Sequence, residues 1–211
     1  MRGLITMRES IDQHGQKISI IEHEYIDFFE SINCQLVTLP NAESVVSSLI
    51  QYIEAVDFIV LSGGGDPQES STVRYQVEIR LIEIAAVKKI PVIAICRGMQ
   101  VYLNNIKQLP LSKITSTSMI RTPGVRHNIN YESNIYEVNH YHEFQVKNRP
   151  NHESSILLGL DYETEAIEIY YSPDERFLGF QWHPERESEL SESRNLAIGL
   201  IKEVLSGCNN D

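Results

Sequence analysis

Two kinds of hydrophobic pattern alternate along the first half of the chain. Short, continuous apolar runs occur at residues 3–6, 35–40, 57–61 and 91–95. Between these runs, apolar side chains recur every three to four residues, which is the spacing of one helix face. A strand that is apolar throughout is buried on both faces. The order therefore predicts an α/β fold with a parallel sheet between two helical layers.

The pattern changes in the second half of the chain. Residues 165–171 and 176–182 form two apolar runs around the turn sequence SPDE, which predicts an antiparallel hairpin that extends the sheet. A last helix is predicted around residues 196–204. The sequence has no repeat, low-complexity tract or linker. We therefore expect a single domain over residues 1–208 and a short tail at 209–211.

Composition narrows the range of functions. The 211 residues include 18 basic and 29 acidic side chains, a net charge of −11, which disfavours a nucleic-acid partner. No apolar run approaches the ~18 residues of a membrane span, and the N-terminus lacks the apolar core of a signal peptide. The three cysteines have neither disulfide-scaffold nor metal-site spacing. We expect a cytoplasmic protein without a metal, cofactor or membrane partner.

Three predicted strand ends carry unusual chemistry. SGGGDP follows the third strand, Cys96 follows the fourth, and His183-Pro184-Glu185 follows the last. In open parallel sheets, ligands bind outside the carboxyl ends of the strands. These three segments are therefore the candidates for a functional site.

Cys96 is the candidate nucleophile. A lone cysteine after an apolar run is more commonly a packing residue. Here a helix is predicted to begin directly after it, and a helix N-terminus favours the nucleophilic thiolate. Gly98 is expected to let the backbone turn tightly, as in the nucleophile elbow of hydrolases.

The other two segments could supply what a thiolate needs. His183 could act as a base, with Glu185 orienting its ring. The glycine run at 62–65 and the main-chain N–H of Arg97 could stabilise an oxyanion. Each segment alone is also compatible with a simpler interpretation: HPE as a polar turn, and SGGG as an ordinary loop or a weak phosphate cradle.

Together these motifs resemble the class I glutamine amidotransferase family, and within it the γ-glutamyl hydrolase branch that includes γ-glutamyl-γ-aminobutyrate hydrolases. The resemblance rests on CRGMQ, SGGGDP and FLGFQWHPE, supported by VNHYH and EAIE, and covers nearly the whole chain. It implies a flavodoxin-like three-layer sandwich. It also implies that Cys96 is the nucleophile, His183 the general base and acid, and Glu185 the third triad member.

The resemblance implies further roles around this triad. Gly64 and Arg97 would supply the oxyanion-hole N–H groups, with the register inside the glycine run open. Gln100 would help hold the glutamyl head. The remaining glutamyl contacts would come from the segment Asn139, His140, Tyr141 and His142. The family usually has serine at the position of His140 and histidine at that of Glu143, which puts its usual substrates in doubt.

The implied reaction is hydrolysis of a γ-glutamyl amide through a glutamyl thioester. Residues 112–130 include Lys113, Arg121 and Arg126 and no acidic residue, a reversal in an acidic chain. One interpretation is that Arg121 and Arg126 bind an anionic leaving group, such as a γ-glutamyl nucleotide phosphoramidate in surface-polysaccharide biosynthesis. The other is a solvated basic loop.

Two other functions remain open from the sequence. The protein could be a glutaminase subunit that delivers ammonia to a separate synthetase partner. It could also be a non-catalytic regulator or binding module, although the presence of Cys96, His183 and Glu185 together disfavours this.

Overall fold

A computed structural model of the chain describes residues 1–114, 124–149 and 156–207. The helices are α1 His23–Glu30, α2 Glu43–Ile53, α3 Val73–Lys88, α4 Arg97–Asn105 and α5 Glu192–Ser206, and a short 3-10 helix spans Pro184–Arg186. The strands are β1 Arg2–Thr6, β2 Arg8–Ile11, β3 Lys17–Ile20, β4 Gln35–Leu39, β5 Phe58–Leu61, β6 Val92–Ile95, β7 Ser112–Lys113, β8 Arg126–Tyr131, β9 Asn134–Asn139, β10 Phe144–Gln145, β11 Leu157–Asp161, β12 Ile167–Ser172 and β13 Phe177–Phe180.

Nine strands form the central sheet in the order β4-β1-β5-β6-β13-β12-β11-β8-β9. The first five of these are parallel, and the remaining pairings are antiparallel. All four apolar runs of the first half are strands of the parallel part, and the SPDE turn joins β12 to β13. The predicted mostly parallel sheet with an antiparallel extension is confirmed.

Helices cover both faces of the sheet because successive residues of each buried strand point to opposite sides. In β5, Phe58 and Val60 pack with α1 and α5, whereas Ile59 and Leu61 pack with α2, α3 and α4. Each of these four side chains is fully buried. The result is the predicted three-layer sandwich in one domain. Within the described residues, no helix combines the length and apolar character needed to cross a membrane.

The structure adds elements that the hydrophobic pattern did not predict. A hairpin, β2–β3, lies between β1 and α1, and β8, β9 and β11 extend the antiparallel half of the sheet. The hairpin strands are largely exposed or half-buried, so they carry no apolar run. In β8, buried and exposed residues alternate, and the buried positions include His127.

The strand order explains how the distant motifs meet. β6 lies between β5 and β13, so the carboxyl ends of these three parallel strands are neighbours. The glycine loop, defined here as Ser62–Gly65, follows β5, and Cys96 follows β6. His183 lies three residues beyond β13, and the Cys96 N–H donates to the Phe180 carbonyl at 2.6 Å. Local motifs from three parts of the chain therefore converge at one edge.

Candidate active site

Cys96 lies at a strained turn between β6 and α4. Its φ of 51° and ψ of −107° lie outside the regions that residues with a side chain favour. The residue is 6% exposed, and α4 begins at Arg97. Cys96 therefore sits at the N-cap position of α4, directly after the end of β6.

Gly98 allows α4 to pack closely against β5 and is not needed for the turn at Cys96. A Cβ at Gly98 would lie 2.4 Å from the Leu61 carbonyl oxygen, whereas its φ is not among the positive values. Glycine is required because α4 approaches the end of β5 closely. This corrects the expectation that Gly98 turns the backbone.

His183 and Glu185 form a buried hydrogen-bonded pair. Glu185 lies in the 3-10 helix that Pro184 begins, and this turn brings its Oε1 to 2.5 Å from His183 Nδ1. Burial disfavours a charged imidazole. The Glu185 carboxylate and the Cys96 thiolate, which also hydrogen-bonds the ring, outweigh burial and raise the pKa of His183 to about 10.

Asn139 contacts the backbone of His183. Its Oδ1 accepts from the His183 N–H at 3.0 Å, and its Nδ2 donates to the His183 carbonyl at 2.8 Å. Glu187 Oε1 accepts from both the main-chain and side-chain nitrogens of Asn139 at 2.9 Å. Arg126 in turn donates to Glu187 Oε2 at 2.9 Å and to Glu137 Oε2 at 2.6 Å. Asn139 and Arg126 thus support His183 and do not line the cleft.

The glycine loop has two N–H groups suited to an oxyanion. The Gly63 N–H donates to the Tyr25 hydroxyl at 2.9 Å, and burial keeps the pKa of that hydroxyl well above its ordinary value. Gly64 and Gly65 have φ of +80° and +85°, and both line the cleft. The N–H groups of Gly64 and Gly65 are therefore the loop's candidates for the role expected of Gly64.

A cleft of about 490 Å³ opens above Cys96 and His183. Its lining includes Gln100, Tyr141 and His142 among the predicted site residues. The Tyr141 ring stands edge-on to the His183 ring, with centroids 5.5 Å apart. His140 is buried behind the cleft, with its ring 4.0 Å from that of His142. Of the four predicted residues in this segment, Tyr141 and His142 therefore line the cleft, whereas Asn139 and His140 do not.

The amide of Gln100 is held by the protein. Its Nε2 donates to the Phe144 carbonyl at 2.9 Å and to Gln181 Oε1 at 3.1 Å. Gln181 Nε2 reaches Cys96 Sγ at 3.8 Å. Gln100 lines the cleft, and both of its side-chain N–H groups are engaged by the protein.

Of the basic residues that the sequence suggested, only Lys113 is found among the described residues that line the cleft. Arg121 lies outside the described residues, and Arg126 is paired elsewhere. Lys113 lines the cleft and pairs with Glu143 at 3.2 Å. Arg8 and Arg186 also line it. Arg186 lies 4.7 Å from the centroid of the Tyr141 ring. Sequence reasoning missed Arg8 because the polar hairpin that carries it had no recognisable pattern.

One group among the described residues could hold a metal ion. Ligand atoms of His127, Asp161 and Glu168 lie within 4.8 Å of one another in the antiparallel half of the sheet, and all three residues are buried. His127 Nε2 lies 3.4 Å from Glu168 Oε1 and 3.5 Å from Asp161 Oδ2. Direct contact of a histidine ring with two carboxylates gives the same arrangement, so the geometry does not require a metal.

The sheet thus brings a cysteine at a strained strand-to-helix turn next to a hydrogen-bonded histidine–glutamate pair, which are the kinds of group that nucleophilic catalysis combines. The family comparison makes this more specific. Residues 13–202 match the glutamine amidotransferase class-I family model, and the chain belongs to that family.

Two relatives and one solved structure of similar fold illustrate the similarity. YvdE of Lactococcus lactis, named as a glutamine amidotransferase-like protein, is 26% identical over 198 residues, which cover 80% of this chain and 82% of YvdE. The γ-glutamyl-CDP-amidate hydrolase of Campylobacter jejuni is 28% identical over 159 residues, covering 72% and 74%. The glutaminase domain of CTPS from Trypanosoma brucei, solved with acivicin, superposes with a TM-score of 0.65 at 15% identity, covering 98% and 94%. Family membership and the hydrolase among these relatives support amidohydrolase activity in general.

Proposed function

We propose that this protein hydrolyses a γ-glutamyl amide through a thioester on Cys96. The observation that carries the proposal is the contact of Cys96 with the buried His183–Glu185 pair beside two loop N–H groups. These groups are what amide cleavage by a thiolate requires: a nucleophile, an acid, an orienting carboxylate and oxyanion donors.

The steps follow from these positions. The Cys96 thiolate attacks the γ-carbonyl carbon, and the N–H groups of Arg97 and the glycine loop stabilise the oxyanion. His183, held protonated by Glu185, gives its proton to the leaving nitrogen as the C–N bond breaks. Neutral His183 then takes a proton from water, which attacks the thioester. Glutamate leaves, and the thiolate and imidazolium are restored.

We further propose that the leaving group is anionic. Arg8, Lys113 and Arg186 line the cleft together with the acidic residues Asp66 and Glu143, and Arg8 also pairs with Glu22 at 3.1 Å. Arg8 is the best placed of the three, because its Cδ packs 2.5 Å from where a Cβ of Gly64 would lie. Guanidinium groups suit phosphate oxygens. The name of the Campylobacter relative, a γ-glutamyl-CDP-amidate hydrolase, supports a nucleotide phosphoramidate as the substrate class.

The test is a screen with glutamate release as the readout. The substrates are glutamine, a neutral γ-glutamyl anilide and a γ-glutamyl nucleoside-diphosphate amidate. Wild-type protein should release glutamate from the phosphorylated amide with the highest kcat/KM, and Cys96→Ala should release none. Absence of activity on all three by wild-type protein would contradict a stand-alone hydrolase and favour the glutaminase-subunit alternative.

Substitution of Arg8 tests whether the leaving group is anionic. Arg8→Met keeps an apolar stem over Gly64 and removes the charge, so KM for the phosphorylated amide should rise about tenfold while KM for glutamine stays unchanged. Arg80→Gln, which removes an exposed arginine paired with Glu83 on α3, is the matched control. An equal rise for both substrates in Arg8→Met would refute the anionic leaving group.

A further inference from the structure

A single buried arginine holds the glycine loop. Arg74 lies in the first turn of α3 and is 3% exposed. Its Nη2 donates to the Ser62 carbonyl at 2.7 Å and to the Gly63 carbonyl at 3.0 Å, and its Nη1 donates to the Gly64 carbonyl at 2.7 Å. Three successive peptide carbonyls therefore converge on one guanidinium group.

These contacts fix which way the loop N–H groups point. In a trans peptide the C=O and the N–H point in opposite directions. Because the Gly63 and Gly64 carbonyls face Arg74, the N–H groups of Gly64 and Gly65 point away from it. The third N–H, that of Gly63, is occupied by Tyr25. Arg74 thus leaves two unhindered donors where Gly64 and Gly65 line the cleft.

Glu78 connects this arginine to the other half of the expected oxyanion hole. Its Oε1 accepts from Arg74 Nε at 2.8 Å, and its Oε2 accepts from Arg97 Nη1. Arg97 Nε also donates to the Asp66 carbonyl at 3.2 Å, just beyond the loop. Arg97 is the first residue of α4, and its main-chain N–H is the second expected donor. The buried Glu78 carboxylate therefore connects the glycine loop, through Arg74, with the first residue of α4, Arg97.

We propose that Arg74, positioned by Glu78, holds the glycine loop with its N–H groups directed toward Cys96, so that the oxyanion hole is formed before substrate binds and no partner protein is needed to form it. This inference rests on the proposed function for its catalytic consequence. A flip of either loop peptide would break charge-assisted hydrogen bonds in a buried site, where they are strongest. Arg74 and Glu78 act through the loop and are positioning residues.

The decisive variant is Arg74→Lys. Lysine keeps a positive charge beside Glu78, so no carboxylate is left buried and unpaired, but it cannot reproduce the planar fork that meets three carbonyls. Arg80→Lys makes the same change on the exposed face of α3 and is the control. We expect kcat of Arg74→Lys to fall about 10- to 100-fold with KM unchanged, because loss of a whole oxyanion donor costs about 10²–10³.

Two further measurements distinguish a disordered glycine loop from a general loss of active-site structure in Arg74→Lys. Alkylation of Cys96 by iodoacetamide needs no oxyanion donor, so its rate should be unchanged in Arg74→Lys. Hydrogen exchange at the Gly63 amide, which the buried Tyr25 hydroxyl protects in wild type, can be followed by NMR in glycine-labelled protein and should be faster in Arg74→Lys than in wild type and in Arg80→Lys.

The outcomes decide the inference. A loss of kcat with faster exchange at the loop supports it. Unchanged kcat and exchange, a parallel loss of alkylation, or wild-type hydrolysis that requires an added partner overturns it. If wild-type protein hydrolyses no γ-glutamyl amide, the proposed function fails, and the exchange measurement alone still shows whether Arg74 orders the loop.

Discussion

The backbone of Cys96 stores strain that a pair of substitutions can measure. With φ at 51° and ψ at −107°, any Cβ at this position is crowded by its own backbone. Replacing Cys96 by alanine removes the sulfur and keeps that crowding, whereas replacing it by glycine removes both. The difference in unfolding free energy between Cys96→Gly and Cys96→Ala therefore contains the strain.

The expected magnitude follows from a reference site on the same strand. Ala94 is fully buried in β6 and has no positive φ. Ala94→Gly should cost about 0.5–1 kcal/mol in chain entropy and about 0.8 kcal/mol for the lost methyl group. At position 96 the same loss is opposed by relief of about 1–3 kcal/mol of strain. Relative to Cys96→Ala, Cys96→Gly should therefore fall between about 0.8 kcal/mol less stable and about 1.7 kcal/mol more stable, whereas Ala94→Gly loses about 1.3–1.8 kcal/mol.

Thermal unfolding is a sufficient assay, since about 1 kcal/mol shifts Tm by about 2–4 °C in a domain of this size. Ala94→Gly should lower Tm by about 3–6 °C, while Cys96→Gly should lie at most about 3 °C below the Tm of Cys96→Ala, or above it. The fall in Tm from Cys96→Ala to Cys96→Gly can be compared with the fall from wild type to Ala94→Gly. If the two falls are equal, the turn at Cys96 is unstrained and the reasoning fails.

Three other predictions address the support of the site. Gly98→Ala should destabilise the protein by about 1–3 kcal/mol, because the new Cβ would meet the Leu61 carbonyl oxygen at 2.4 Å; an unchanged denaturant midpoint would contradict the close approach. Asn139→Ala should lower kcat about tenfold with little change in KM, since Asn139 holds the backbone of His183; a rise in KM alone would instead place Asn139 on the substrate. The raised pKa of His183 stabilises the fold fully below about pH 6.5, and this contribution is lost as pH rises toward 10. Glu185→Gln removes the largest influence that raises this pKa, so Tm should fall less steeply across that range than in wild type, and parallel Tm profiles would contradict the assignment.

Much of this site could be predicted from the sequence because its reactive parts are local. Val92–Ile95 is apolar at every position and had to be a buried strand, so Cys96 had to lie at a strand end. His183 and Glu185 are two residues apart, and Pro184 begins the turn that joins them. No tertiary information was needed to recognise either motif.

The residues that hold these motifs in place could not be predicted in this way. Asn139 and Arg126 were expected to touch substrate. Asn139 contacts the His183 backbone and Arg126 contacts Glu187 instead, although β12 and β11 separate their strands from β13 in the sheet. Arg74 and Glu78 had the ordinary spacing of a helix-surface ion pair, and only the packing of α3 buries them.

The sequence by itself determined the α/β fold class, the strand ends and the identity of the reactive side chains. These depend on hydrophobic periodicity and on chemistry within a few residues. The tertiary structure decided which loop N–H groups face the cleft, which cations line it and which polar residues only support His183. Those properties depend on contacts between segments 10 to 44 residues apart, such as Arg74 with Gly64 and Asn139 with His183, and no local pattern encodes them.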